Sequence, residues 1–415
     1  MSESPVVTTR RNFWTAAYAL TLALWASSAP SIIYPLYGAR WHLSTVVTTS
    51  IFAVYPLVLV VMLMIFGNVS DRIGRRGAIL LGLGFLLIGT VAFAVAPSVP
   101  LVFVGRVLQG IGVGLVIGSA GAALVDYNPY SARIPGPLNS ATQSAGMTFA
   151  LLVGSLLVQF GPNPLHLSYW VLAAALLAGG VLTWLLPRHN PDAVEARGPW
   201  RPQGLRVPRG LGRVYAIAGV SVCTGFGVGA VFLSMGADVA QDVLGSSNVL
   251  VNGLTLCFST ALVTLGAWIA SRVGTRRSIA AGSALAILGL VALVGAALSH
   301  TLILFVVACV CTGPSVGLVM AGGVGLASAS AHPRHRAQLI SAVFLVGYTV
   351  QGGVALAGGV IATTSGLTLA IVWVAVVMSL FGVAAIVLAI SARGVTAPST
   401  VAEGAAEPTR SLSAG

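Results

Sequence analysis

The side chains in this sequence that could do chemistry are few. Most sit where an apolar run meets a charged edge, which limits them to holding charge and passing protons. Asp71 lies in GNVSDRIGRR, residues 67–76, beside Arg72, Arg75 and Arg76 and directly after a long uncharged run. Asp126 ends another apolar run. Arg106 lies inside one, in GRVLQGIGVG at 105–114, with Gln109 three residues further on. Residues three apart share a helix face, so both side chains can reach one ligand or water. An arginine inside an apolar run is expensive and is a functional candidate by default. Gly110, Gly112 and Gly114 follow no strand, which excludes a dinucleotide-binding turn and leaves close helix packing as their use. No paired acids, His–Glu pair or Ser–base cluster appears within the apolar runs, so no catalytic residue is assigned and the chain is not expected to be an enzyme. Cys223, Cys257, Cys309 and Cys311 have no metal or disulfide spacing and read as small buried hydrophobes. His42, His166, His189, His300, His332 and His335 all fall between apolar runs and read as solvated. No cofactor or metal is expected.

The elements that must hold these residues are set by composition. The chain has 415 residues, 57% hydrophobic and only 7% charged, against about 25% charged in soluble domains. Its mean hydropathy is +0.96. So few charges cannot cover a soluble surface of this size, and the bilayer is the expected solvent. Twelve runs are long enough to cross it as helices: 14–37, 45–67, 77–96, 100–124, 139–160, 168–187, 214–236, 249–270, 278–298, 302–327, 338–361 and 367–390. Backbone groups in lipid must be bonded internally, and the runs lack the short alternating pattern of a barrel, so the fold class is all-α. The net charge of +12 comes from arginines, all but Arg106 placed outside the runs, a topology pattern rather than a nucleic-acid patch. With a cytoplasmic N-terminus, 19 of the 21 arginines fall on the cytoplasmic side; Arg40 and Arg106 are the exceptions. Both termini are then cytoplasmic, and Asp238 and Asp242 fall in an outer loop.

The chain divides in two. Residues 188–213 hold six arginines and four prolines and read as a linker. The expected domains are an N-terminal tail (1–12), a six-helix bundle (13–187), the cytoplasmic linker (188–213), a second six-helix bundle (214–390) and a disordered tail (391–415). The halves echo each other. AWIASRVGTR at 267–276 repeats GNVSDRIGRR at an offset of 200 residues, keeping Arg272, Gly274 and Arg276, while Ser271 replaces Asp71. VGLV occurs at both 113–116 and 316–319.

GNVSDRIGRR, twelve spans, a basic central stretch and a degraded second copy together resemble the major facilitator superfamily. The likeness covers about residues 12–392. It implies a secondary transporter working by alternating access, with two six-helix halves rocking about a site near the midplane. Gly67 then allows close helix packing and Gly74 the turn into the third span. The resemblance gives Asp71 a partner in the N-terminal dipole of the eleventh helix, near Ala337 to Ile340, and gives Arg75 a partner in Asp126. Such contacts would join the halves when the cytoplasmic side is closed. R-x-x-Q-G-x-G around Arg106 resembles a signature of proton-coupled exporters, making Asp71, Arg106 and Asp126 the proton-coupling candidates. The glycine-proline signature of drug–proton antiporters is not satisfied in the fifth span, where Gly161–Pro162 falls at the end of the run.

By the same resemblance, the first, fourth, seventh and tenth spans line the cavity. They offer Trp25, Ser28, Tyr34, Arg106, Gln109, Thr224, Phe226, Thr312 and Met320, with Gln143, Tyr348 and Gln351 on flanking spans. The expected activity is proton-coupled efflux of small amphipathic compounds, antimicrobials or metabolites, from a monomer in the plasma membrane. The expected partners are a small-molecule substrate, protons and the bilayer, with no nucleic acid. The alternatives are proton-coupled uptake of an organic metabolite and, remotely, a non-transporting membrane sensor.

Overall fold

The structure is a computed structural model describing residues 5–66, 69–130, 135–187, 210–245, 248–331 and 333–391. Helices follow from the lack of water in lipid, since only internal bonding satisfies every N–H and C=O there. The N-terminal half comprises α1 (Pro5–Ser28), α2 (Tyr34–Trp41), α3 (Thr45–Phe66), α4 (Val69–Ala94), α5 (Val99–Asp126), α6 (Pro135–Phe160) and α7 (Leu167–Trp184). The C-terminal half comprises α8 (Gly212–Ser234), α9 (Gly236–Leu244), α10 (Val249–Val273), α11 (Thr275–Ser299), α12 (Leu302–Ser330), α13 (Pro333–Ser365) and α14 (Leu367–Ser391). Among the described residues, eleven helices are continuous spans. The twelfth is the pair α1–α2, bent by 41° around a 3-10 turn at Ala29–Ile32 that contains Pro30.

Several boundaries differ from the sequence reading. α1 begins at Pro5, inside the stretch expected to be a tail, and α13 begins at Pro333 rather than near Ala337. Proline suits a helix start because the first N–H groups have no intrahelical partner anyway. Asp238 and Asp242 lie on the short helix α9, not in an irregular loop. The linker up to Arg209 and the tail beyond Ser391 lie outside the described residues.

The two-fold repeat extends to the backbone. Gly74 has φ 78° and ψ 157°, and its counterpart Gly274 has φ 84° and ψ 157°. Both occupy positive-φ space that glycine alone enters at little cost. The α4–α5 contact has a counterpart in α11–α12. An added Cβ at Gly82 would reach the Gly112 carbonyl at 2.9 Å, and one at Gly282, 200 residues later, would reach Leu318 at 2.7 Å. Lipid supplies no hydrophobic force between helices, so small residues that let backbones approach carry the association.

The halves meet through α3 with α13 and α6 with α10. One end of the molecule bears Arg72, Arg75, Arg76, Arg272 and Arg276; among the described residues, hydrogen bonds between the halves lie at mid-depth and at the other, arginine-poor end. Val46 N–H donates to Thr363 Oγ1 at 2.9 Å, and Val249 N–H to Gln159 Oε1 at 3.0 Å. The Ser144 hydroxyl donates to the Thr260 carbonyl deeper in. Thr49 packs on Gly359 and Ser155 on Gly253.

Candidate functional site

The described part of the loop motif is tied to the N-terminal half by its arginines. Gly67 lies outside the described residues, as does the side chain of Asp71. Gly74 turns the chain into the long part of α4. Arg75 Nε donates to Asp126 Oδ2 at 3.0 Å, linking α4 to α5. Both residues belong to the N-terminal half, so this pair does not itself join the two halves. Arg76 Nη1 donates to the Leu186 carbonyl at 3.2 Å, and its guanidinium lies 4.6 Å from the Trp184 ring centre, tying the loop to the end of α7. Arg72 keeps part of its side chain exposed on the same edge.

Arg106 organises a second site, about 10 Å into α5 from its arginine-poor end at 1.5 Å per residue. It is wholly buried. Its Nη1 donates to the Ser27 carbonyl at 2.7 Å and to Gln109 Oε1 at 3.0 Å, and its Nη2 donates to the Tyr34 hydroxyl. The Ser27 carbonyl is available because α1 stops at Ser28, and the last four carbonyls of a helix have no partner within it. The rings of Tyr34, Tyr55 and Phe93 stand 5.6, 5.8 and 5.9 Å from the guanidinium carbon. An aromatic shell of this kind stabilises a desolvated cation. Behind it, the Tyr37 hydroxyl donates to that of Tyr169 at 3.2 Å, and Tyr169 stacks on Phe93 at 5.0 Å. Tyr55 reaches the hydroxyls of Ser27 and of Tyr348 on α13, so the site touches the C-terminal half through one tyrosine pair.

Of the residues singled out in the sequence, Arg106, Gln109 and Tyr34 are therefore brought together, with Ser28 adjacent through its hydroxyl's 3.4 Å contact with Ser27. Tyr348 and Phe226 form a neighbouring aromatic group with ring centres 4.2 Å apart. Trp25 stacks on Phe149 at 6.0 Å. Gln143 on α6 is half-buried, and Gln351 on α13 is buried. Thr224 and Thr312 are not part of the group; their hydroxyls return to the Val220 and Ala308 carbonyls of their own helices at 2.9 and 2.7 Å. Thr312 also packs against Gly289, inside the C-terminal half. Met320 lies against Gly225 on α8. Gly110 and Gly114 face α3, and Gly112 faces α4, the packing use expected of them.

Sequence reasoning missed Ser27, Tyr37, Tyr55, Phe93 and Tyr169. Aromatic residues are common in apolar spans, and only helix packing shows which of them converge. It also missed that His166 is held, its Nδ1 lying 2.8 Å from the Ala94 carbonyl. Asp238 is a further omission. It is half-buried on α9, and loss of solvation pushes its carboxyl up to about 6. One turn on, Asp242 lies 3.8 Å from His300. Between about pH 4, where an unfolded aspartate titrates, and about 6, the folded chain holds a proton that the unfolded chain releases. Stability should therefore fall as pH rises through that window. Asp238→Asn should raise the melting temperature above about pH 6, where wild type carries the full desolvation penalty, and match wild type near pH 4. Melting curves across pH 4 to 8 in detergent check this; parallel curves for the two proteins would contradict it.

Comparison with known proteins decides the family. The sequence profile of the Major Facilitator Superfamily matches residues 16–355. The chain belongs to that superfamily. It is a multi-pass membrane transporter rather than an enzyme. Among curated relatives, Multidrug resistance protein 1 of Bacillus subtilis (strain 168) is 28% identical over 171 residues, 40% of this chain and 43% of that protein. Inner membrane transport protein YajR of Escherichia coli (strain K12) is 30% identical over 145 residues, 34% and 31% respectively. Myo-inositol transporter 3A of Cryptococcus neoformans is 52% identical over only 50 residues, 12% and 8%. The chain thus spans less than half the length of these relatives. The fold is shared with the peptide transporter POT at a TM-score of 0.72 and 17% identity, covering 92% of this chain and 94% of that one. It is shared also with a bacterial homolog of the human lysosomal transporter Spinster, solved inward-facing and unoccupied, at 0.69 and 14%, covering 94% and 98%.

Proposed function

We propose that this transporter exports small amphipathic compounds, antimicrobials or metabolites, across the plasma membrane in exchange for protons. The buried Arg106–Gln109 pair carries this reading. It places a cation and an amide, ringed by aromatic side chains, about 10 Å along α5 from its end, where a bound ligand would be held out of water. The likeness to Multidrug resistance protein 1 supports export over uptake. The arginine-rich end is cytoplasmic in this reading, with both termini, the linker 188–213 and the two tails on that side of bundles 13–187 and 214–390. The conformation described is then the one shut towards the outside. Asp71 would hold the opposite, cytoplasmically closed state by facing the start of α13 at Pro333, with Arg75–Asp126 and Arg76–Leu186 fixing the loop that presents it. The protein works as a monomer. Proton-coupled uptake of a polyol-like metabolite is the second reading, favoured by the short, high-identity stretch shared with Myo-inositol transporter 3A.

Asp71→Asn keeps the shape and removes the charge. A carboxylate at a helix N-terminus contributes about 0.3–2 kcal/mol, so the gate equilibrium should move about 2- to 30-fold. Growth inhibition of an efflux-deficient bacterium by a panel of antimicrobials and dyes tests both points. Protection by wild type, weakened at equal expression in Asp71→Asn, is the expected result. Protection against nothing by either protein would overturn export. Equal protection by both would leave export standing and remove the gating role of Asp71.

A further inference from the structure

We propose that the Arg106–Gln109 pair is the seat of a carboxylate, so that the transported compounds are small aromatic or amphipathic monocarboxylic acids in their ionised form. The inference rests on reading the Arg106 site as the substrate site of the exporter. Three observations lead to it.

First, the charge has no counter-ion. Arg106 is fully buried, and among the described residues no carboxylate pairs with it. The sequence offers none at that depth: its nine acidic residues lie at span ends, in connecting stretches or in the tails. Enclosing a cation in an apolar medium costs several kcal/mol even after the protein relaxes around it, unless a negative charge meets it.

Second, the unmet hydrogen-bonding capacity at the site is donor capacity. A guanidinium has five N–H groups and no acceptor. Arg106 directs three at Ser27, Gln109 and Tyr34, while its Nε is buried without a partner. Gln109 accepts from Arg106 through Oε1 and leaves its own buried Nε2 without a partner. Buried polar atoms are rarely left this way, and each one costs free energy. Two adjacent side chains with spare N–H groups and a net positive charge match an acceptor that is itself negative. A planar carboxylate, which takes two parallel N–H bonds from an arginine fork, fits that demand.

Third, the surroundings select what the carboxylate is attached to. Tyr34, Tyr55 and Phe93 enclose the guanidinium, so the rest of the ligand meets aromatic faces. An amine brought to the same donors would face an unpaired cation and be repelled. A neutral amide would satisfy the spare donors without neutralising the charge.

The test uses the full-length protein in lipid nanodiscs, titrated by calorimetry at neutral pH with benzoate, its neutral isostere benzamide, and benzylamine. Benzoate should bind at least tenfold more tightly than benzamide, and benzylamine should not bind. Arg106→Gln should weaken benzoate by about 30-fold or more, the size expected when one partner of a buried charge pair is removed. Because Arg106→Gln could fail to fold, Gln109→Leu is measured beside it. That variant keeps the cation but removes one of its acceptors, so its fold is checked by a cooperative melting transition; once folded, it should weaken benzoate several-fold. Equal binding of benzoate and benzamide, unchanged benzoate binding in a folded Arg106→Gln, or displacement of benzoate by chloride at matching concentration would each overturn the proposal. Cell protection separates the two readings. Specific benzoate binding without protection against any compound removes export and keeps the carboxylate site. Protection confined to cationic or neutral compounds, with no benzoate binding, keeps export and removes the site.

Discussion

With Gly253 and Gly359 both changed to alanine, the arginine-poor end of the transporter will no longer close fully. Each glycine receives a hydroxyl-bearing side chain from the other half. A Cβ at Gly359 would lie 2.8 Å from the Thr49 Cβ, and one at Gly253 would lie 2.7 Å from the Ser155 Cβ, with the two hydroxyl oxygens nearer still. Real Cβ atoms do not approach so closely. The halves must part or the side chains must turn, and Ser155 is wholly buried with its hydroxyl bonded to the Leu151 carbonyl. Overpacking of this kind costs about 1–3 kcal/mol per site. The cost falls only on the state in which the halves meet, so each change shifts the equilibrium about 5- to 150-fold towards opening, and the two distant sites should add. Spin labels at positions 46 and 363, which share a hydrogen bond across the halves, report the result as a longer distance in the double variant. Pairing Gly359→Ala with Thr49→Gly returns the space and should restore the short distance. An unchanged distance in the double variant would mean that the side chains yield and that these glycines do not set closure.

Gly266→Ala should instead damage the fold, with no preference for either state. A Cβ there would meet the Pro314 backbone, 2.7 Å from its carbonyl carbon and closer to the oxygen. The contact lies between α10 and α12, inside the C-terminal half, and the rocking of the halves does not relieve it. Backbone cannot rotate away as a hydroxyl can, and Gly313 and Gly317 hold the same interface by equally close approaches to the Ser259 and Val263 carbonyls. The expected loss is about 3 kcal/mol, at the upper end for overpacking. It should appear as a lower melting temperature in detergent, with the 46-to-363 distance unchanged in the fraction that folds. A stable Gly266→Ala protein with a lengthened distance would place the close contact at the interface of the halves instead.

These cases show where sequence was sufficient. Hydropathy located all twelve spans because each must supply its own run of apolar residues. Arginine spacing divided the ends, and the offset of 200 residues matched Gly274 to Gly74, both of which take positive φ. Arg106 and Gln109 were placed on one helix face by a spacing of three. All of this is local to one helix or one loop.

The contents of the sites were decided by tertiary packing. Apart from Gln109 on the same helix, the acceptors and rings around Arg106 come from α1, α2, α3 and α4, and one acceptor is a main-chain carbonyl freed by a helix end, which no residue type announces. Thr224 and Thr312 looked like cavity residues but turn back onto their own helices, because a hydroxyl in an apolar span can always bond the carbonyl four residues earlier. Asp238 was expected in an outer loop, but it lies on the short helix α9 and is half-buried. The helix start expected near Ala337 to Ile340 lies at Pro333, where α13 begins. In a membrane, lipid-facing, packed and cavity-facing surfaces are all apolar, so periodicity does not separate them. What separates them is shape, through glycines that admit a neighbouring backbone or side chain, and that is settled only when the helices meet.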